Sequence, residues 1–90
     1  MQLSVIITTY NSEEWLSKVL QGYCCQTEND FEVVIADDGS NDKTKLVIAS
    51  FQGKFTHPIV HVWHEDDGFQ KCKILNKAIL KANSEYLLFT

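Results

Sequence analysis

Residues 33 to 42, VVIADDGSND, constrain the chain more than any other stretch, because the apolar run Val33-Val34-Ile35-Ala36 passes without a spacer into Asp37-Asp38-Gly39-Ser40-Asn41-Asp42. Consecutive apolar residues with no polar alternation fit a strand covered on both faces. Asp37 and Asp38 then stand at the carboxyl end of a central parallel strand, where open α/β sheets hold their ligands. Gly39 opens backbone conformations closed to other residues, and Ser40 or Asn41 is placed to cap a following helix. An isolated Asp-Asp-Gly also fits a solvated turn, so the rest of the chain has to decide.

In chain order, Leu3 to Thr9 (LSVIITT) is a β-rich run ending in Tyr10-Asn11, and Glu14 follows Asn11 at the spacing of a capping box. A helix is predicted from Ser12 or Glu13 to about Cys25, with Trp15, Leu16, Val19, Leu20 and Tyr23 on the face that packs on a sheet. Gln26 to Asp30 reads as a loop and Phe31 to Asp37 as the second strand, which makes a parallel crossover. Leu46, Val47, Ile48 and Phe51 mark a short second helix, interrupted by Gly53 and closed off before Pro58. Ile59 to His64 is the third strand, and Glu65-Asp66-Asp67-Gly68 is a second acidic turn. Cys72, Leu75, Ile79 and Ala82 give the stripe of a third helix, with Lys77 and Lys81 in its last turns, where positive charge suits the helix dipole. Tyr86 to Thr90 (YLLFT) is a further apolar run, expected as a fourth buried strand.

Ninety residues with 44% apolar content allow one core. A net charge of -4 without any Lys/Arg cluster argues against a nucleic-acid or anionic-membrane surface. The apolar runs fall far short of a membrane span and no basic leader precedes the first strand, so the expected location is cytoplasmic, at the inner face of the membrane if the protein is larger. The three cysteines are odd in number, and the neighbours Cys24 and Cys25 do not readily bridge, so reduced thiols are expected, with Cys72 in core packing. His57, His61 and His64, with Asp66 and Asp67, suggest a metal site, but His61 and His64 point to opposite faces of a strand and do not share an ion. Trp15 and Trp63 read as core or edge packing, with a sugar platform the alternative for Trp63, and Phe69 lines or anchors the second acidic loop.

TTYN (Thr8 to Asn11), DDGSND (Asp37 to Asp42), EDDGFQ (Glu65 to Gln70) and ILNKAI (Ile74 to Ile79), in this order, resemble the family 2 glycosyltransferases, which have the GT-A fold. The resemblance covers essentially the whole chain. It implies a nucleotide-sugar donor, UDP-linked in expectation, whose base and ribose are held by Thr8, Thr9, Tyr10 and Asn11. It places Asp38 against the base edge, within the Asp37-Asp38-Gly39 turn, and brings Asp67, Gly68, Gln70 and Lys71 toward the donor phosphates and sugar. The residue types suit those roles. An ionised Asp38 accepts the N3–H of uracil or thymine, a charged hydrogen bond of about 1.5 to 3 kcal/mol, though it would also accept from guanine. Tyr10 can stack on a base, and Thr8 offers a hydroxyl and backbone groups.

Two departures stand out. Gln70 occupies a position where many relatives carry Arg or Lys, and a neutral amide does not offset phosphate charge; Lys71 and Lys73 are candidates to do so but are expected to point elsewhere on their helix. The metal-binding Asp-x-Asp of the family, expected just after Thr90, lies outside these residues, as do the acceptor-binding half and the acceptor's base. The resemblance therefore implies the nucleotide-binding part of an inverting enzyme that uses Mn²⁺ or Mg²⁺ and a saccharide or lipid-linked acceptor, with this piece inactive alone and no catalytic or metal residue in it. The fold class implied is α/β: a Rossmann-like three-layer sandwich with a parallel sheet in the order 3-2-1-4, the N-terminal half of a GT-A fold. Its fourth strand forms an edge, so exposed apolar surface and a homodimer are expected. A noncatalytic nucleotide-binding module is the alternative. A receiver-like phosphoacceptor domain fits less well, because its acids follow the first strand and here the pair follows the second.

Overall fold

The computed structural model describes residues 3–26, 30–68 and 70–90; Phe69 and residues 27–29 of the predicted Gln26 to Asp30 loop lie outside the described residues. The order of elements is β1 (Leu3–Thr9), α1 (Glu13–Cys24), β2 (Phe31–Asp37), α2 (Asp42–Phe51), β3 (Val60–Trp63), α3 (Lys71–Lys81) and β4 (Tyr86–Phe89). All strand pairs are parallel, in the order β3-β2-β1-β4, as the sequence reading expected. In register, Thr9 lies opposite Asp37 and Asp37 opposite Trp63, so β1, β2 and β3 end at one level.

Successive side chains of the central strands point to opposite faces, and both faces are covered. On one face Val5, Ile7, Val33 and Ile35 meet Leu16 and Leu20 of α1 and Ile48 and Phe51 of α2. On the other, Ile6, Val34 and Ala36 meet Ile74 and Ala78 of α3. Every residue of β2 is buried, the outcome expected from its unbroken apolar run.

That burial includes Glu32, 3% exposed at the far end of the sheet from the paired acids. Its carboxyl accepts from the Ser4 hydroxyl and from the Asn83 amide at 2.6 Å, fastening the loop that leads into β4. A buried donor left without an acceptor costs about 1 to 3 kcal/mol. Glu32→Ala is therefore expected to destabilise the fold by roughly 2 to 4 kcal/mol, seen as a lower urea midpoint, because two donors lose their partner together.

Four expectations are corrected. No capping box forms at α1: Ser12 is the N-cap, without a side-chain cap, and Asn11 has a φ of 45° with its side chain engaged elsewhere. The buried stripe of α3 is Ile74 and Ala78, flanked by Leu75 and Ala82, whereas Cys72 is exposed and Ile79 half-exposed. The apolar positions of this helix spread beyond one face, opposite a stripe of Lys73, Lys77 and Lys81, so periodicity alone does not fix which of them is buried; the surface of β1, β2 and β3 does. β4 is mostly exposed rather than buried: only Leu87 packs inward, and Tyr86, Leu88 and Phe89 face outward from an edge strand paired to β1 alone. Trp15 is half-exposed rather than packed against the sheet, whereas Trp63 fits the edge packing expected of it, half-exposed on the edge strand β3 and donating its Nε1–H to the Ser40 carbonyl at 3.1 Å.

Candidate functional site

The ends of β1 and β2 are laced together directly. Asn11 donates its amide to the Ser40 hydroxyl at 2.8 Å and accepts from the Asn41 amide at 2.9 Å, while the Asp38 amide donates to the Thr9 carbonyl at 3.1 Å. Asn41 caps α2 by accepting from Lys43 at 3.1 Å, as a residue of this type after an acidic turn should. Asn11 spends its side chain on the turn. Its left-handed backbone, which asparagine tolerates better than most residues, supplies the bend that makes this possible.

The paired acids have different partners. Asp37, 1% exposed, accepts from its own turn through the Ser40 amide at 2.8 Å and from His61 Nε2 at 2.8 Å. Asp38 is held from outside its turn: Oδ1 accepts from His64 Nε2 at 2.5 Å and Oδ2 from the Gln70 amide at 2.9 Å. Adjacent residues at a strand end point to opposite sides, and so do His61 and His64, so each histidine meets one acid.

Burial works against ionisation of Asp37, but its bonds from His61 and Ser40 outweigh it and hold the carboxyl below its ordinary value. The His64 bond does the same for Asp38, aided by the Gln70 amide. A carboxyl whose value is depressed on folding contributes stability that is complete above its unfolded value of about 3.9 and is lost as pH falls through the lower folded one. Thermal melts should therefore drop steeply below about pH 4, and Asp37→Asn should flatten that part of the profile while lowering stability at neutral pH.

The second acidic loop lies against the first. A Cβ at Gly39, where φ is +90°, would sit 2.5 Å from the Asp66 Cα and amide nitrogen. Gly39 thus does two things at once, turning the chain and letting another backbone touch it. Asp66 then accepts a hydrogen bond from the Tyr10 hydroxyl at 2.7 Å, which raises the tyrosine's pKa.

These contacts leave a cleft of about 280 Å³ above the strand ends, lined by Thr8, Thr9, Tyr10, Ser12, Trp15, Asp38 and Lys71. The Thr9 hydroxyl is buried without a hydrogen-bond partner among the described residues. Lys71 lies on this wall rather than turned away along the helix. Gly68 lines an adjoining recess with Tyr10, Asp38 and Asp66, and Asp67 and Gln70 line another with His64, Lys73 and Lys77. Asn11, Asp37 and Gly39 line none of these three hollows and shape the turns behind them. Sequence reasoning overlooked His61, His64 and Asp66 as partners of site residues. The same alternation that separated the two histidines also separates Asp37 from Asp38, and applying it to both strands would have paired them.

Among the described residues no group of three or more His, Cys, Asp or Glu side chains is placed to hold a metal ion, so no step is assigned to one here. No described helix is long and apolar enough to cross a membrane.

Comparison with known proteins agrees with this geometry. The chain is 37% identical over 89 residues to validoxylamine A glucosyltransferase of Streptomyces hygroscopicus subsp. limoneus, covering 97% of this chain and 19% of that one. The crystal structure of Staphylococcus aureus TarS 1-349 superposes on the whole chain with a TM-score of 0.89 at 32% identity, over 27% of its length. The same protein in complex with UDP-GlcNAc superposes with a TM-score of 0.81, over 26%. The chain spans about a fifth of the length of the first curated relatives it matches. The model of glycosyl transferase family 2 matches residues 4–90, so the chain belongs to that family and carries part of its GT-A fold.

Proposed function

We propose that these residues form the donor-nucleotide part of an inverting glycosyltransferase that takes a sugar from a UDP-linked donor. The observation that carries the reading is Asp38, held in its ionised form on the wall of a cleft beside Tyr10, Thr9 and Lys71. UDP-GlcNAc and UDP are bound by the S. aureus relative, which shares this fold at 32% and 29% identity. In this reading Asp38 accepts the N3–H of uracil, Tyr10 lies along the base, and the buried Thr9 hydroxyl, which lacks a partner among the described residues, meets a ribose hydroxyl. Thr8 completes the wall, and Asp67, Gly68 and Gln70 border the donor's sugar from the adjoining recesses. Calorimetric titration with UDP beside GDP and dTDP tests it; equal affinity for all of them would count against a uracil site.

Gln70 offers its backbone amide to Asp38 and its side-chain amide to the Asp67 carbonyl, so Lys71 is the residue proposed to face the diphosphate. Lys71→Met is expected to weaken UDP several-fold while leaving uridine nearly unchanged, and equal losses for the two ligands would remove Lys71 from the diphosphate.

For the whole enzyme we propose attack of an acceptor hydroxyl of a saccharide or lipid-linked glycan on the anomeric carbon, with a carboxylate outside these residues taking its proton. The divalent cation and its ligands are placed there as well, so the piece alone is proposed to be inactive. A cytoplasmic location at the inner face of the membrane is part of the same proposal. Tyr86, Leu88 and Phe89 on the open edge of β4 are the surface through which a homodimer of this piece would form, and a monomer by light scattering at high concentration would exclude it.

A further inference from the structure

Both oxygens of Asp38 are already held, and neither donor belongs to the strand that carries it. The more informative donor is His64. Its Nδ1 lies 3.4 Å from the ammonium of Lys77, which has only hydrogens to give, so Nδ1 is the acceptor and Nε2 carries the ring proton. That proton points to Asp38 Oδ1, which can only accept while ionised. Lys77, His64 and Asp38 thus form a directed chain from the middle of α3 to the end of β2. The His64 and Asp38 side chains are only 13% and 9% exposed, so water competes little for the bond between them. The other charged groups bordering this recess are Glu65, Asp66, Asp67 and Lys73.

We infer that His64, with its tautomer set by Lys77, is a positioning residue that fixes the Asp38 carboxylate for recognition of the nucleobase. A carboxylate offers about four lone-pair positions, and His64 and Gln70 take one on each oxygen. What remains is held in a fixed plane at the cleft wall. Without His64 the Asp38 carboxylate keeps only the Gln70 amide on Oδ2 and can pivot about that single bond, so a ligand has to fix its plane on binding. Base affinity is then tuned by residues that border a different hollow from the one that holds the base.

This inference rests on the donor-site reading, and its test separates the two. UDP is titrated into the chain and into Asp38→Ala, His64→Ala, His64→Gln and the Asp38→Ala/His64→Ala double variant, each checked for folding by circular dichroism. His64→Ala is expected to weaken UDP about five- to tenfold, the scale of one lost hydrogen bond. His64→Gln, whose amide nitrogen reaches to about the place of Nε2, should recover binding to within about twofold of the parent, which a merely structural role would not require. In the double variant the His64 change should add nothing. Tight UDP binding that needs Asp38 but ignores His64→Ala overturns the inference and leaves the donor site standing. Absence of UDP binding by the parent chain overturns both. Where His64→Ala fails to fold, nitrogen-15 NMR of the parent histidines decides: a proton on Nε2 of His64 supports the chain of bonds, and one on Nδ1 ends it.

Discussion

Asp38→Ala is expected to reduce affinity for UDP by tenfold or more, with the fold retained. Truncation removes the charged acceptor proposed for the base, a contact on the scale of about 1.5 to 3 kcal/mol, or roughly 10- to 150-fold. It also leaves the His64 imidazole and the Gln70 amide without their acceptor, so the loop beside the cleft loosens at the same time. Asp38→Asn separates these effects. An amide oxygen still accepts one bond, while its NH₂ opposes a donor, so this variant should retain more of the fold's stability than alanine yet bind UDP no better. Calorimetry and melting curves on both variants check the pair, and undiminished UDP binding by Asp38→Ala would remove the base-recognition role altogether.

Gly39→Ala is expected to have the largest effect on the molecule as a whole. Two penalties coincide at one carbon: a backbone φ of +90° that side chains avoid, and a new Cβ 2.5 Å from the Asp66 backbone. Neither is relieved by rotating a flexible side chain. Together they amount to about 3 kcal/mol or more, a fall in melting temperature on the order of 15 °C for a domain of this size. If the chain yields by moving the acidic loop, the Tyr10–Asp66 and Asp38–Gln70 bonds break and UDP binding is lost with them. A melting temperature within about 3 °C of the parent would show that the two turns do not touch in solution.

The fold was legible where pattern and element agree. The apolar run of β2 announced burial on both faces, and the run from Leu3 to Thr9 gave β1 its observed ends. It was illegible where apolar residues outnumber the positions that can be buried. α3 has more of them than one face accommodates, and β4 is apolar on both sides though only Leu87 packs. The site followed a related division. Asp38 and Tyr10 stand in motifs that name their chemistry, and both line the cleft. The partners that set their geometry, His64 and Asp66, are 26 and 56 residues away in sequence, and such pairings follow only from the register of β2 against β3 and the path of the loop beyond it. Asn11 shows the limit of local reading, since a capping box and a cross-turn bridge use the same side chain and tertiary contact chose the bridge.

The cleft wall is assembled from segments that meet only when the whole sheet is in place: Tyr10 after β1, Asp38 after β2, and Lys71 at the start of α3. A partly folded chain therefore has no portion of this site to offer, and a nucleotide that occupies it selects the complete fold alone. By mass action such a ligand at a hundred times its dissociation constant adds about 2.7 kcal/mol to global stability. Because strand ends from both sides of the sheet's centre contribute, that gain should spread through the slowest-exchanging amides of β1 and β2, so that the core of the sheet registers the arrival of a ligand at its rim.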